Sequence, residues 1–210
     1  MTISVAIATS QDIPDLLNFM LEDFLETNNL NRPISLSRDD AHEAYEDLVI
    51  ECVHSGTSLV LRNSEGEVVA MRLSTYADRS TPEKPIFYPT RIQTIFEMLT
   101  VLTKDKWVLI PQDVEKVLYI EILSVAKKYR RQGLAKILTS IGFETAINSG
   151  ATGVMAESTS VASQTLFAKL GFSILRELPH SEFVNADGCP VFAPLADGAT
   201  AARFVFKRLI

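Results

Sequence analysis

The stretch LYIEILSVAKKYRRQGLAKIL, residues 118–138, constrains this chain more than any other. Val117 to Val125 reads as a strongly apolar strand, interrupted by one carboxylate, Glu121. Leu134, Ala135, Ile137, Leu138 and Ile141 then recur at helical spacing, which predicts a helix over Leu134 to Asn148, ended by Gly150. A glycine turn from strand to helix presents backbone N–H groups and the positive end of the helix dipole to an anion. Lys127, Lys128, Arg130 and Arg131 add cations beside it. The turn reads either as a cradle for a pyrophosphate or as a plain strand-to-helix connection with a solvated basic run. It is neither GxxxxGK followed by Ser or Thr nor GxGxxG, so nucleoside triphosphates and dinucleotides lack their usual cradle.

The elements around this unit complete an α/β pattern. Ile3 to Ala8 alternates as a short strand, and Asp12 with Pro14 opens a helix that carries Leu16, Leu17, Met20, Leu21 and Phe24 on one face. Ser37 and Asp40 form a capping box for a second helix, which turns Ala41, Ala44, Tyr45, Leu48, Val49 and Cys52 inward and closes at Gly56. Thr57 to Arg62 and Glu67 to Thr75 read as an antiparallel hairpin. A helical insertion at about 81–112 follows, with an amphipathic segment from Thr90 to Lys104. Beyond the central unit come a strand at Val154 to Glu157, a helix at Ser160 to Leu170 stopped by Gly171, and strands at Phe172 to Leu178 and Ala202 to Leu209. No repeat is present, and residues 1–210 read as a single domain.

At 210 residues and 47% hydrophobic, the chain can bury one sizeable core. A net charge of -6 disfavours phosphate neutralisation, so no nucleic-acid partner is expected. Cys52 and Cys189 have neither a disulfide framework nor a zinc spacing, and no metal site is expected. The N-terminal MTISVAIATSQD resembles no leader, and no window is long and apolar enough for a membrane span. The expectation is a cytoplasmic protein without a membrane partner, monomeric or homodimeric.

Arg130, Arg131, Gln132, Gly133, Leu134 and Ala135 fit the pattern Arg or Gln, two residues, Gly, one residue, Gly or Ala. By this motif the chain resembles the GNAT superfamily of acetyl-coenzyme A dependent N-acetyltransferases. Leu123, Ser124 and Val125 resemble that family's fourth strand, and SVASQTLFAKLGF its later helix-to-strand motif. The resemblance implies a central mixed, mostly antiparallel twisted sheet of about seven strands, helices on both faces, and strands four and five splayed for the cofactor. It further implies that the amides of residues 130–135 hold the pyrophosphate and that main-chain groups of Leu123 and Val125 pair with the pantetheine arm. Ser124, Ser160 and Phe167 join the implied cofactor contacts. The insertion, SVASQTLFAKLGF and the closing GCPVFAPLADGATAARFVFKRL are similar to the invertebrate arylalkylamine N-acetyltransferase branch.

Acetyl transfer to an ammonium needs a base for the proton, an amide for the oxyanion and an acid for the thiolate. In a regular strand Glu121 shares a face with Tyr119, Leu123 and Val125. Glu121 is read as the general base and Tyr119 as a relay; the plainer reading of Glu121 is an ion-paired carboxylate on a sheet face. The resemblance makes the Leu123 amide the oxyanion donor. It also places Phe167 where many members carry a tyrosine acid, and Asn28 where insect members carry a glutamate base. Ser163 matches a serine credited to the invertebrate enzymes, although Thr159, Ser160 and Ser163 read equally as helix caps. Phe87, Tyr88, Ile92, Phe96 and Trp107 either wall an acceptor pocket or bury the insertion. His42, His54 and His180 fall outside every motif.

The function implied is acetyl transfer to a primary amine, a small arylalkylamine or polyamine. A cofactor-binding module without turnover and a peptide N-acetyltransferase are the alternatives.

Overall fold

The computed structural model describes residues 2–82 and 86–210, so positions 83–85 of the expected insertion lie outside the described residues. Strands β1 (Ser4–Ile7), β2 (Leu59–Arg62), β3 (Val68–Asp78), β4 (Lys116–Val125), β5 (Gly153–Ser158), β6 (Ser173–Pro179) and β7 (Ala201–Arg208) form one open sheet. Their order is β1-β2-β3-β4-β5-β7-β6, and every neighbouring pair is antiparallel except β4 with β5. A parallel pair cannot be closed by a hairpin, so a helical crossover joins those two strands. This is the mixed, mostly antiparallel α/β sheet that the sequence predicts.

Helices α1 (Ile13–Phe19), α2 (Leu25–Thr27) and α3 (Arg38–His54) precede β2, with a π-helical turn at Met20–Phe24 joining the first two. The insertion contributes α4 (Gln93–Thr103) and α5 (Lys106–Leu109); α6 (Leu134–Ser140) and α7 (Phe143–Asn148) make the crossover, and α8 (Val161–Lys169) follows β5. The local signals act as read. Ser37 and Asp40 cap α3 reciprocally, and Asn63 Oδ1 accepts from the Glu65 and Glu67 amides, which fixes the β2–β3 turn.

β4 sorts its side chains to both faces, as strand periodicity requires. Val117, Met155, Phe204 and Phe206 meet Met98 and Leu102 of α4, whereas Leu118, Ile120, Val154, Ala156 and Val205 meet Ala146 of α7 and Phe167 of α8. Tyr88, Ile92 and Phe96 pack against the cluster built from α1, α3, β2 and β3. Tyr88 donates its hydroxyl to Asp47, and Trp107 lies under the Arg79 guanidinium. These aromatics bury the insertion; Phe87 alone is exposed, at 72%. Among the described residues no helix is long and apolar enough to cross a membrane.

One expected helix is not continuous. The continuous helix over Leu134 to Asn148 is two helices, broken at Ile141 and Gly142, where Gly142 has φ +90°. The cause lies on β3. The guanidinium of Arg72, 1% exposed, donates to Leu138 O (2.9 Å), Ile141 O (2.7 Å) and Thr57 O (2.8 Å). The carbonyls that end α6 are thus satisfied from outside the helix, and the chain turns. A Cβ on residue 142 would stand 3.2 Å from Arg72 Nη2, so glycine meets both the positive φ and the close approach.

Candidate active site

The β4–β5 ladder runs from Val117 opposite Gly153 to Ile120 opposite Ala156 and stops there, although β4 continues to Val125 and β5 to Ser158. The splay follows from the register on the other side of β4. Leu73 pairs with Ile122 and Ser74 with Ile120, which leaves Glu121 as the extra residue of a β-bulge. A bulge bends its strand and increases its twist, and so turns the end of β4 away from β5.

The bulge also corrects the expected alignment of side chains. Tyr119 and Glu121 do share a face: Thr75 pairs with Tyr119 across the ladder and donates its hydroxyl to Glu121 Oε1 at 3.0 Å. Past the extra residue the alternation reverses. Leu123 packs against the Leu118, Ile120 and Phe167 cluster on the opposite face, while Tyr119 packs with Met155 and Phe206. Leu123 and Val125 therefore offer backbone, not side chains, to the Glu121 side.

That backbone faces the opening. Ala126 N–H donates to Val69 O of β3 at 2.9 Å, and antiparallel alternation then turns the polar groups of Leu123 and Val125 toward the missing β5 neighbour. Ser124 is buried in the β3 pairing opposite Met71. Arg130 Nε donates back to Val125 O at 3.0 Å. Arg131 and Gly133 adopt positive φ of 62° and 82°, and α6 begins at Leu134 with no side-chain cap. A Cβ at Gly133 would meet nothing within 4 Å, so open space lies over the turn. Arg130, Arg131 and Gln132 are exposed around it, Ala135 is half-buried, and Leu134 anchors the turn in the core.

Glu121 lies among charged groups from several elements. Tyr119 donates its hydroxyl to Glu157 of β5, and Lys106 Nζ of α5 stands 5.3 Å from the Tyr119 ring centroid. Burial and the negative charge of Glu157 push the Glu121 carboxyl up to about 8; Glu51 adds to this, while the Thr75 hydrogen bond and Lys106 oppose it. Cys52 is a buried free cysteine on α3, and burial raises its thiol beyond any role as a neutral-pH nucleophile. Glu157 and Lys106 escaped the sequence reading. The first carried a signal of the same kind as Glu121, a carboxylate inside an apolar strand; the second carried none.

The remaining expected residues have plainer surroundings. Ser160 and Ser163 form a reciprocal capping box on α8, and Ser163 Oγ also accepts from Ser158 Oγ at 3.0 Å. Phe167 is 2% exposed, its ring tilted at 59° against that of Phe172. Asn28 Oδ1 accepts from the Leu30 amide, while the next side chain, Asn29, donates to Thr159 O and Asp197 Oδ1. Asp197 in turn accepts from Val161 N–H, tying the loop before α3 and the loop before β7 to the start of α8. His42 and His54 are exposed; His180 is buried, and burial lowers its pKa. Among the described residues no group of three or more His, Cys, Asp or Glu is placed to hold a metal ion.

A sheet parted between its one parallel pair, with a glycine turn and an uncapped helix start at the parting and a carboxylate on the bulge beside it, defines an acyltransferase of the splayed-sheet class. The family model for GNAT acetyltransferases matches residues 17–172, and the chain belongs to that family. Arylalkylamine N-acetyltransferase 2 from Aedes aegypti superposes with a TM-score of 0.88 at 20% identity, covering 100% of both chains. A putative arylalkylamine N-acetyltransferase 7 from the same mosquito gives 0.85 at 20% identity over 99% of this chain and 88% of that one. A Drosophila melanogaster polyamine N-acetyltransferase that forms N-acetylagmatine gives 0.78 at 18% identity over 99% and 100%. At such identities the likeness is one of fold. No curated protein matches the sequence significantly.

Proposed function

We propose that the protein transfers the acetyl group of acetyl-coenzyme A to the primary amine of a small arylalkylamine or polyamine, in the cytoplasm, as a monomer or homodimer. The observation that carries this reading is Glu121, a carboxyl pushed up to about 8 at the bulge where the sheet parts. A carboxyl with that pKa is ionised, and so takes a proton from an alkylammonium, at mildly alkaline pH, and such proton transfer contributes about 10²–10⁴-fold to a rate. The fold neighbours named for arylalkylamines and polyamines support the acceptor class.

The residues fit the cosubstrate. The turn Arg130, Arg131, Gln132, Gly133, Leu134 and Ala135 offers open amides and cations to the pyrophosphate, and the outward backbone of Leu123 and Val125, with Ser124 held between them by β3, receives the pantetheine arm. Ser160 and Phe167 support this pocket from α8. The thioester supplies the activated acyl carbon. The amine nitrogen bonds to that carbon, the C–S bond breaks, and the amine proton passes to Glu121 with Tyr119 as relay. The Leu123 amide donates to the developing oxyanion. A thiol with a pKa of about 8.5 leaves as the thiolate without a strong acid, and Ser163 is assigned to pass it a proton while taking one back from solvent. The second reading, a cofactor-holding module without turnover, draws on Asn28 folded back onto Leu30 and on Phe167 held in the core.

Calorimetric titration with acetyl-coenzyme A, then thiol release with tryptamine, tyramine, dopamine, spermidine and a lysine peptide, separates the readings. Binding with release by a free amine is the expected result. Binding without release supports the silent module, and absence of binding sinks the proposal. In the same titration Gly133→Glu is expected to weaken acetyl-coenzyme A binding by about tenfold or more, because a carboxylate would meet the pyrophosphate. Gly133→Asn, which tolerates positive φ without adding charge, should retain most of the affinity; equal affinities in both variants would remove the turn from the site.

A further inference from the structure

α5 is a single turn on the surface of the insertion, yet its first residue, Lys106, is 7% exposed while Val108 two positions on is 82% exposed. Burying an ammonium is expensive unless compensating groups surround it. A second cost is visible in the backbone. Asp105, directly before Lys106, is a non-glycine residue at φ +55°, an unfavourable conformation that persists where its surroundings demand it. The chain is bent there so that Lys106 points inward.

It points at the face of the sheet that carries Glu121. The ammonium lies 5.3 Å from the centroid of the Tyr119 ring, and the Tyr119 hydroxyl donates to Glu157. The groups that face Glu121 come from every element packed on it: Glu157 from β5, Glu51 and Cys52 from α3, Thr75 from β3, Tyr119 from β4 and Lys106 from α5. Lys106 is the cation of this set, set against three carboxylates.

We propose that Lys106, supplied by the insertion, is a positioning residue for the reaction: it holds the Tyr119–Glu157 pair in place and provides the positive charge against which Glu121 ionises as the base. This rests on the assignment of Glu121 above. It gives the insertion a chemical purpose besides packing, since α4 and the left-handed turn at Asp105 fix where that charge sits.

The test is the pH dependence of kcat/KM with the best amine found above. Lys106→Met keeps the apolar stem and removes the charge. Its rising limb is expected to move up by about one pH unit or more, with activity at pH 7 about tenfold lower, because an opposite charge nearby favours the ionised carboxylate. Acetyl-coenzyme A affinity should stay near wild type, and Lys106→Arg should return the limb toward its original position. Lys106→Gln carries the same test where the methionine variant does not fold. A limb lost in Glu121→Gln but unmoved in Lys106→Met overturns this inference alone. A limb that survives in Glu121→Gln overturns the base assignment and the inference with it.

Discussion

Glu121→Gln is expected to lower kcat/KM by about 10²–10⁴-fold, to abolish the rising limb of the pH profile near 8, and to leave acetyl-coenzyme A affinity unchanged. The amide keeps the size of the side chain and can still meet the Thr75 hydroxyl, so the fold at the bulge is preserved while the proton acceptor is lost. Linkage supplies an independent check. A carboxyl raised from 4.5 to about 8 stabilises the fold in its neutral form; that contribution is complete below pH 4.5 and disappears as pH rises through 8. Glutamine mimics the neutral acid at every pH. Thermal melts from pH 5 to 9 should therefore show wild-type stability falling relative to the variant. Parallel melting curves together with an intact pH–rate limb would remove Glu121 from its role.

Arg72→Ala is expected to destabilise the protein by about 3–5 kcal/mol, read by urea unfolding, through lost packing and the lost donor to the Leu138 and Ile141 carbonyls, while Thr57 O keeps the Ser74 hydroxyl. Among the described residues no carboxylate is hydrogen-bonded to this guanidinium; it is held by carbonyls, and burial lowers its pKa to about 10. Arg72→Lys should recover only part of the loss, because one ammonium cannot span the ends of α6 and the Thr57 carbonyl as a planar fork does. A loss below about 1 kcal/mol in the alanine variant, within the range of a single ordinary hydrogen bond, would mean that the break between α6 and α7 stands without it.

What the sequence made legible is what neighbours along the chain decide. The box at Ser37 and Asp40, the β2–β3 turn at Asn63, the glycine after Arg131 and the strand-to-helix passage into α6 all act within a few residues, and all stand where periodicity and capping put them. The misreadings come from long range. Nothing between Leu134 and Asn148 announces that Arg72, on β3, takes the carbonyls of Leu138 and Ile141. The bulge at Glu121 is invisible to alternation because it is set by the register against β3, and it alone separates the face of Tyr119 from that of Leu123. Lys106 lies just past the amphipathic segment from Thr90 to Lys104 and carries no signal of its own in the sequence. Its burial depends on the left-handed residue before it and on a tyrosine from another strand.

An open strand edge is ordinarily a hazard, since unpaired amides and carbonyls template the addition of a strand from another molecule. In this sheet β1 and β6 are the outer edges, but the edge from Glu121 to Val125 lies inside, in a wedge that the Ile120–Ala156 pair closes at its apex. A foreign strand, with side chains on both faces and a backbone that must continue at each end, has no exit through that apex. A thin, extended molecule ending in a small head can enter point first. The shape of the parting therefore suits a thin guest better than a foreign strand.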